Sequence, residues 1–204
     1  MYENFVNSIK DRWDTDPFGN ATNGLKSDIA LSHVFSYENP IWKKIKKGDI
    51  LVYGMHNNSA TIGHIGIYAG VKILRGKEVH LAIEAGNAGV QYQAIDDSNI
   101  GTNSNPSIEI FQYPAEFNRE KVIDFATSQI GCNYNVPIVL CFGNYNQIYE
   151  EKKGSWFCSE IVHTSYLQAG IDINLFFDKD TYFDPGCTPR NILRWCLKNT
   201  TQIH

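Results

Sequence analysis

Trp156-Phe157-Cys158-Ser159-Glu160-Ile161-Val162-His163-Thr164-Ser165-Tyr166-Leu167-Gln168-Ala169-Gly170 is the stretch on which the reading of this chain turns. Ile161, Val162, Ser165, Tyr166 and Ala169 follow Cys158 at spacings of three, four, seven, eight and eleven, which is one face of an α-helix. Gly170 supplies the left-handed residue that ends such a helix. Cys158 then stands in the first turn, where backbone N–H groups and the positive end of the helix dipole meet an anion. A thiol in that place, after the Gly154-Ser155 break, suits a nucleophile. The other reading is a small buried residue at a helix start, since a cysteine thiol packs as a hydrophobe.

The surrounding composition narrows the choice. The chain has 204 residues, 43% hydrophobic and 20% charged, enough for one domain with a proper core. A net charge of −4 and a pI near 5.8 give no basic field, so no nucleic-acid partner is expected. The longest apolar run, Val136 to Phe142, is too short to span a bilayer, and no transmembrane segment is expected. The first ten residues carry no apolar h-region, so the expected setting is cytoplasmic, or secreted without a visible signal peptide. Five cysteines (132, 141, 158, 187 and 196) make an odd count with no CxxC pair, which argues against a disulfide framework or a zinc site.

Outward from the Cys158 helix, residues 1–46 read as an accessory lead-in to a catalytic core at 47–204, in a single domain of residues 1–204. Tyr2 to Trp13 and a stretch after Ser27 predict short helices, the second closed by Asn39-Pro40. From Gly48 the pattern turns to strands: 49–53, 61–70, 79–86, 90–95 and 107–113. In the second, Ile65 and Ile67 alternate with His64, Gly66 and Tyr68. In the third, Val79, Leu81 and Ile83 alternate with His80, Ala82 and Glu84. Asn118 caps a helix stopped by Gly131, and Thr188-Pro189 opens a last helix. Strands in one block with helices on either side predict an α+β fold with an antiparallel sheet packed against helices.

A nucleophilic thiol needs a base, ordinarily an imidazole held by a third group. His163 lies five residues beyond Cys158, about 140° away around the helix, which makes it a poor partner. His33 has no visible partner, His56 lies in a loop, and His204 is terminal. His64 is the best candidate. If the hairpin turns near residue 74 or 75, His64 falls across from Glu84 or one position off, on the same face, where a carboxylate can hold the ring. The alternative is a polar face turned to solvent with an incidental pair. Glu160, two residues past Cys158, complements the first-turn dipole.

These segments together resemble the circularly permuted papain-like cysteine hydrolases of the NlpC-type superfamily, most nearly the YiiX-like branch, with lecithin–retinol acyltransferase-like enzymes as relatives. The matching pieces are Gly48-Asp49-Ile50-Leu51, Gly63-His64-Ile65-Gly66-Ile67-Tyr68, Ile83-Glu84-Ala85, Gly131-Cys132-Asn133-Tyr134, Phe157-Cys158-Ser159-Glu160-Ile161-Val162 with Tyr166, and Thr188-Pro189-Arg190. They run in the family's order over residues 48–195, histidine strand before cysteine helix. The resemblance implies Cys158 as nucleophile, His64 as base, Glu84 as the orienting third residue, and the Cys158 backbone N–H in an oxyanion hole. The expectation is a cysteine peptidase-like hydrolase acting on a peptide, isopeptide or N-acyl amide through an acyl-thioester, with no metal or organic cofactor. A lipid acyltransferase or thioesterase is the alternative activity, and a non-catalytic binding module the alternative class.

Overall fold

The computed structural model describes residues 35–53, 64–74, 77–86, 89–100, 108–134, 155–173 and 189–203. A short 3-10 turn at Pro40–Lys43 precedes strands β1 (Ile50–Tyr53), β2 (His64–Leu74), β3 (Lys77–Gly86), β4 (Gly89–Ile95) and β5 (Ile108–Gln112). Helix α1 (Arg119–Ser128), strands β6 (Asn133–Tyr134) and β7 (Ser155–Trp156), helices α2 (Cys158–Gln168) and α3 (Pro189–Asn199) and strand β8 (Thr201–Ile203) follow. Six strands form one antiparallel sheet in the order β4-β3-β2-β1-β5-β8, and the two-residue β6 and β7 pair in parallel beside it. The class is α+β, as the order of segments predicts. None of the described helices is long and apolar enough to cross a membrane.

Strand alternation divides the core. Ile50, Val52, Ile65, Ile67 and Ile83 face the helices, where they meet Val122 of α1, Ile161, Val162 and Tyr166 of α2, and Ile192 and Cys196 of α3. Each such side chain contributes roughly 1.5–3 kcal/mol on burial. Leu51, Tyr68, Ala82 and Ile110 face the other way and pack with Ile41, Trp42 and Ile45. The polar-looking face of β3 is therefore not a solvent face: Ala82 is fully buried, and His80 and Glu84 are buried beside it.

The cover comes from residues 35–46. Asp97 clamps that segment, accepting from Ser36 Oγ at 2.7 Å, the Glu38 N–H at 2.8 Å and Trp42 Nε1 at 2.6 Å. Asn39-Pro40 opens a helical turn here instead of closing one. Asn39 Oδ1 accepts the Ile41 N–H at 3.0 Å, and proline occupies the first position, where a missing N–H costs nothing. The helices expected nearer the N-terminus and the Thr188 cap lie outside the described residues. Asn118 does cap α1, its side chain accepting from the Lys121 N–H.

The β2–β3 hairpin turns a residue later than the sequence reading places it, with Leu74 paired to Lys77. From there the register runs evenly to Gly70 and Leu81, then steps by one, so that Tyr68 pairs with Ala82 and Gly66 with Glu84. Ala69 is the extra residue of a β-bulge, and Gly70 beside it takes φ +101°, a conformation costly to any side chain. Without that step Glu84 would stand opposite Ile67 and share its face. With it, Glu84 shares the face of Gly66 and His64.

A buried knot fixes the helices to the sheet. Asp49, fully buried, accepts from the Lys46 N–H at 2.8 Å, Gln112 Nε2 at 2.7 Å and Arg119 Nη1 at 2.7 Å. Burial pushes its carboxyl above the ordinary value, against the pull of those three donors. The Tyr166 hydroxyl of α2 donates to the carbonyl of Gly48 next door. Residues just ahead of β1 thus hold β5, α1 and α2 at once.

Gly89 marks the tightest backbone approach. Its φ is +94°, and a β-carbon there would lie 2.3 Å from the Cys132 carbonyl oxygen, the atom that accepts the Val90 N–H at 2.9 Å. Gly86, at the other side of the same turn, would place a β-carbon in open space. We expect Gly89→Ala to cost roughly 2–4 kcal/mol, or a fall of about 5–10 °C in Tm. Gly86→Ala should stay within about 0.5 kcal/mol of the parent. Calorimetry on the two variants checks the contrast, and equal effects would contradict the close approach at Gly89.

Candidate active site

α2 begins where the sequence places it. Phe157 precedes the helix in an extended conformation, φ −103° and ψ 166°, and contributes no side-chain cap. Cys158 is the first helical residue and is buried, with 6% of its surface exposed. The helix ends with Gly170 N–H donating to the Leu167 carbonyl and Ile171 N–H to that of Tyr166. Its burial is broader than one face: Ser159, Glu160 and His163 are buried along with the expected stripe.

His64 is the first residue of β2 and stands at the end of the sheet that meets the start of α2. Its Nε2 lies 3.0 Å from Glu84 Oε2. The pair is diagonal, two positions apart on one face, a wider offset than the sequence count gives. Cys158 also acts on the ring. With Nε2 engaged by Glu84, Nδ1 is the nitrogen left for the thiol.

Burial alone would depress the His64 pKa. It is outweighed by the hydrogen bond with Cys158, by the hydrogen bond and charge of Glu84 and by the charge of Cys158, which together raise it to about 10. Its partners thus favour the charged ring over the neutral one. α2, β2 and β3 bring Cys158, His64 and Glu84 together.

The remaining candidates point elsewhere. His80 lies opposite Val71, with Nδ1 2.5 Å from the Tyr68 hydroxyl and its ring 4.5 Å from those of Tyr37 and Trp42. Burial lowers its pKa, against the charges of Glu78 and Asp97. His163 is turned away from Cys158, as its angle on the helix requires, and sets Nε2 3.4 Å from Asp172 Oδ1. Glu160 is in the first turn of α2, 2% exposed, so it acts from within the core and not from a solvated face. His33, His56 and His204 lie outside the described residues.

Two tyrosines near the site carry no role in the sequence reading. Tyr53 pairs with His64 across β1 and β2, the rings 5.0 Å apart. Tyr134 pairs with Trp156, two residues ahead of Cys158, and its phenol is raised by burial and by the charge of Cys158. The signal for Tyr53 was its place at the end of β1, once the register with His64 is known. β6 and β7 are too short to show as a pattern. Their pairing is set by Trp156 Nε1 donating to Gln129 Oε1 at 3.0 Å and by the Gly131–Val90 and Val90–Cys132 backbone bonds at 2.9 Å.

No protein-family model, no curated protein and no solved structure matches this chain.

The His64 value carries a pH signature. Its folded pKa is about 10 against an ordinary 6.5, so its contribution to stability is whole below about pH 6.5 and is lost as pH rises through about 10. We expect urea midpoints measured between pH 6 and 10.5 to fall more steeply for the parent than for His64→Gln. Parallel curves would mean that His64 gains no anionic partner on folding.

Proposed function

We propose that the protein is a thiol-dependent hydrolase that cleaves an amide bond through an acyl-thioester on Cys158. The observation that carries the reading is the single imidazole shared by a helix-terminal cysteine and a buried glutamate, with His64 Nε2 3.0 Å from Glu84. It is supported by the ordered set of segments that resembles permuted papain-like hydrolases, and we take the sheet with its cysteine helix to be that fold.

The steps follow from the charges. With the proton on His64, the Cys158 thiolate attacks the carbonyl carbon of a peptide, isopeptide or N-acyl amide, forming a C–S bond and an oxyanion. The Cys158 backbone N–H, at the helix start, donates to that oxygen. As the tetrahedral intermediate collapses, the C–N bond breaks and His64 gives its proton to the leaving amine. Neutral His64 then takes a proton from water, whose oxygen attacks the thioester. The second tetrahedral intermediate collapses with cleavage of the C–S bond, which releases the acid and leaves the Cys158 thiolate beside the protonated His64. Glu84 holds the ring on Nε2 and stabilises its charge throughout.

Cys158→Ala should keep the fold, since one sulfur at the edge of the core is a small loss compared with a deep truncation. It should abolish both turnover and the acyl adduct that mass spectrometry detects on Cys158 with peptide, isopeptide or N-acyl probes. Residual turnover above background would remove Cys158 from the chemistry. His64→Ala should lose on the order of a hundredfold or more in kcat. Glu84→Gln should lose less, because an amide can still hold the ring without stabilising its charge.

A further inference from the structure

Tyr53 ends β1 directly opposite His64. Its hydroxyl oxygen is buried, and among the described residues none meets it in ordinary hydrogen-bond geometry. A phenol left so is a standing cost to the fold, which calls for a reason. The reason lies one strand further on. A β-carbon at Gly66 would stand 3.4 Å from Glu84 Cβ, 3.6 Å from Tyr53 Cε2 and 3.1 Å from the Ile83 carbonyl oxygen. The bare backbone of Gly66 is thus the gap through which the Tyr53 ring on β1 approaches the Glu84 side chain on β3.

We propose that Tyr53 is a positioning residue for the candidate site: its O–H donates to Glu84 Oε1 while Oε2 holds His64 Nε2, so the carboxylate is clamped between phenol and imidazole. This rests on the hydrolase reading above. Glu84 is the carboxylate whose charge and hydrogen bonding act on the buried phenol, and both side chains border the bare backbone of Gly66. The phenol remains a donor throughout: burial, then the charge and hydrogen bonding of Glu84, hold it well above its ordinary pKa. Its ring also packs against that of His64, with centroids 5.0 Å apart and 52° between planes. A carboxylate with one such anchor has fewer rotamers to lose when it binds the charged ring.

The test needs no substrate. Site-resolved alkylation of Cys158 by iodoacetamide, followed from pH 5 to 9, reads the support that His64 and Glu84 give the thiolate. Five proteins are compared: the parent, His64→Ala, Tyr53→Phe, Glu84→Ala and the Tyr53→Phe/Glu84→Ala double variant. Tyr53→Phe removes only an oxygen, and its urea midpoint controls for any loss of fold.

The expected result is that Tyr53→Phe slows alkylation at pH 6 by about threefold to fivefold and moves the profile to higher pH. In the Glu84→Ala background, adding Tyr53→Phe should change nothing further. A Tyr53→Phe profile that overlays the parent, while His64→Ala still slows the reaction, overturns the clamp and leaves the hydrolase reading standing. The same shift in both backgrounds overturns it too, since Tyr53 would then act on something other than Glu84. If parent Cys158 reacts no faster than the buried Cys196 and is indifferent to His64→Ala, the hydrolase reading and the clamp fall together.

Discussion

One extra residue in β2 sets the geometry of everything at the candidate site. A strand carries side chains to alternate faces, so a register step of one moves every later partner to the other side. The bulge at Ala69 makes that step between the hairpin tip and its base. On the tip side Val79 and Leu81 gather with Ala94 in a small cluster of their own. On the base side Glu84 comes to the face that carries Gly66 and His64. A regular hairpin of the same length would hide Glu84 among the isoleucines facing the helices, an uncompensated charge in an apolar layer. The bulge is thus the condition for a buried carboxylate to have a partner at all.

Sealing that face has opposite consequences for two histidines on neighbouring strands. His80 is buried and His64 half-buried, and loss of solvent favours the neutral ring in each. His80 is surrounded by Tyr37, Trp42 and Tyr68, and burial lowers its pKa against the charges of Glu78 and Asp97. His64 has a carboxylate on one side and a thiol able to ionise on the other, and its pKa rises to about 10. Residue type does not distinguish the two in the sequence, since both alternate along strands beside apolar neighbours. What separates them is which groups the register sets against each ring.

Much of the frame was legible because it rests on local chemistry. The apolar spacing of Ile161, Val162 and Tyr166, the Asn118 cap and the alternation of Val79, Leu81 and Ile83 are each settled within a few residues, and α2, α1 and β3 follow from them. The departures depend on distant partners. The bulge leaves no mark in β2, where Ala69-Gly70 reads equally as the end of a strand. Asn39-Pro40 can close one helix or open another, and Trp42 against His80 with Asp97 beneath decides for the second. β8 is three residues whose strand character comes from Ile110, Phe111 and Gln112 opposite. The burial of His80 could not be seen from β3 alone, because its cover is supplied by Tyr37 and Trp42.

The described cysteines differ in what stands beside the sulfur. Cys196 sits in α3 with no exposed surface, and burial drives its thiol far above the ordinary value against the hydrogen bond of Thr200. That is what the core does to a thiol when packing is the only consideration. Cys132 also packs in the core, its sulfur 3.8 Å from the amide oxygen of Gln129. Cys158 is as buried as Cys132, yet its neighbour is an imidazole backed by a carboxylate, at a helix start. The helix dipole alone is worth roughly 0.3–1 kcal/mol to a nearby anion. An imidazolium adds to that, and a carboxylate such as Glu84 helps to keep the ring charged. Each member of the set thus answers a cost created by the next: Glu84 needs a cation, His64 needs an anion to remain one, and a thiolate at Cys158 needs both.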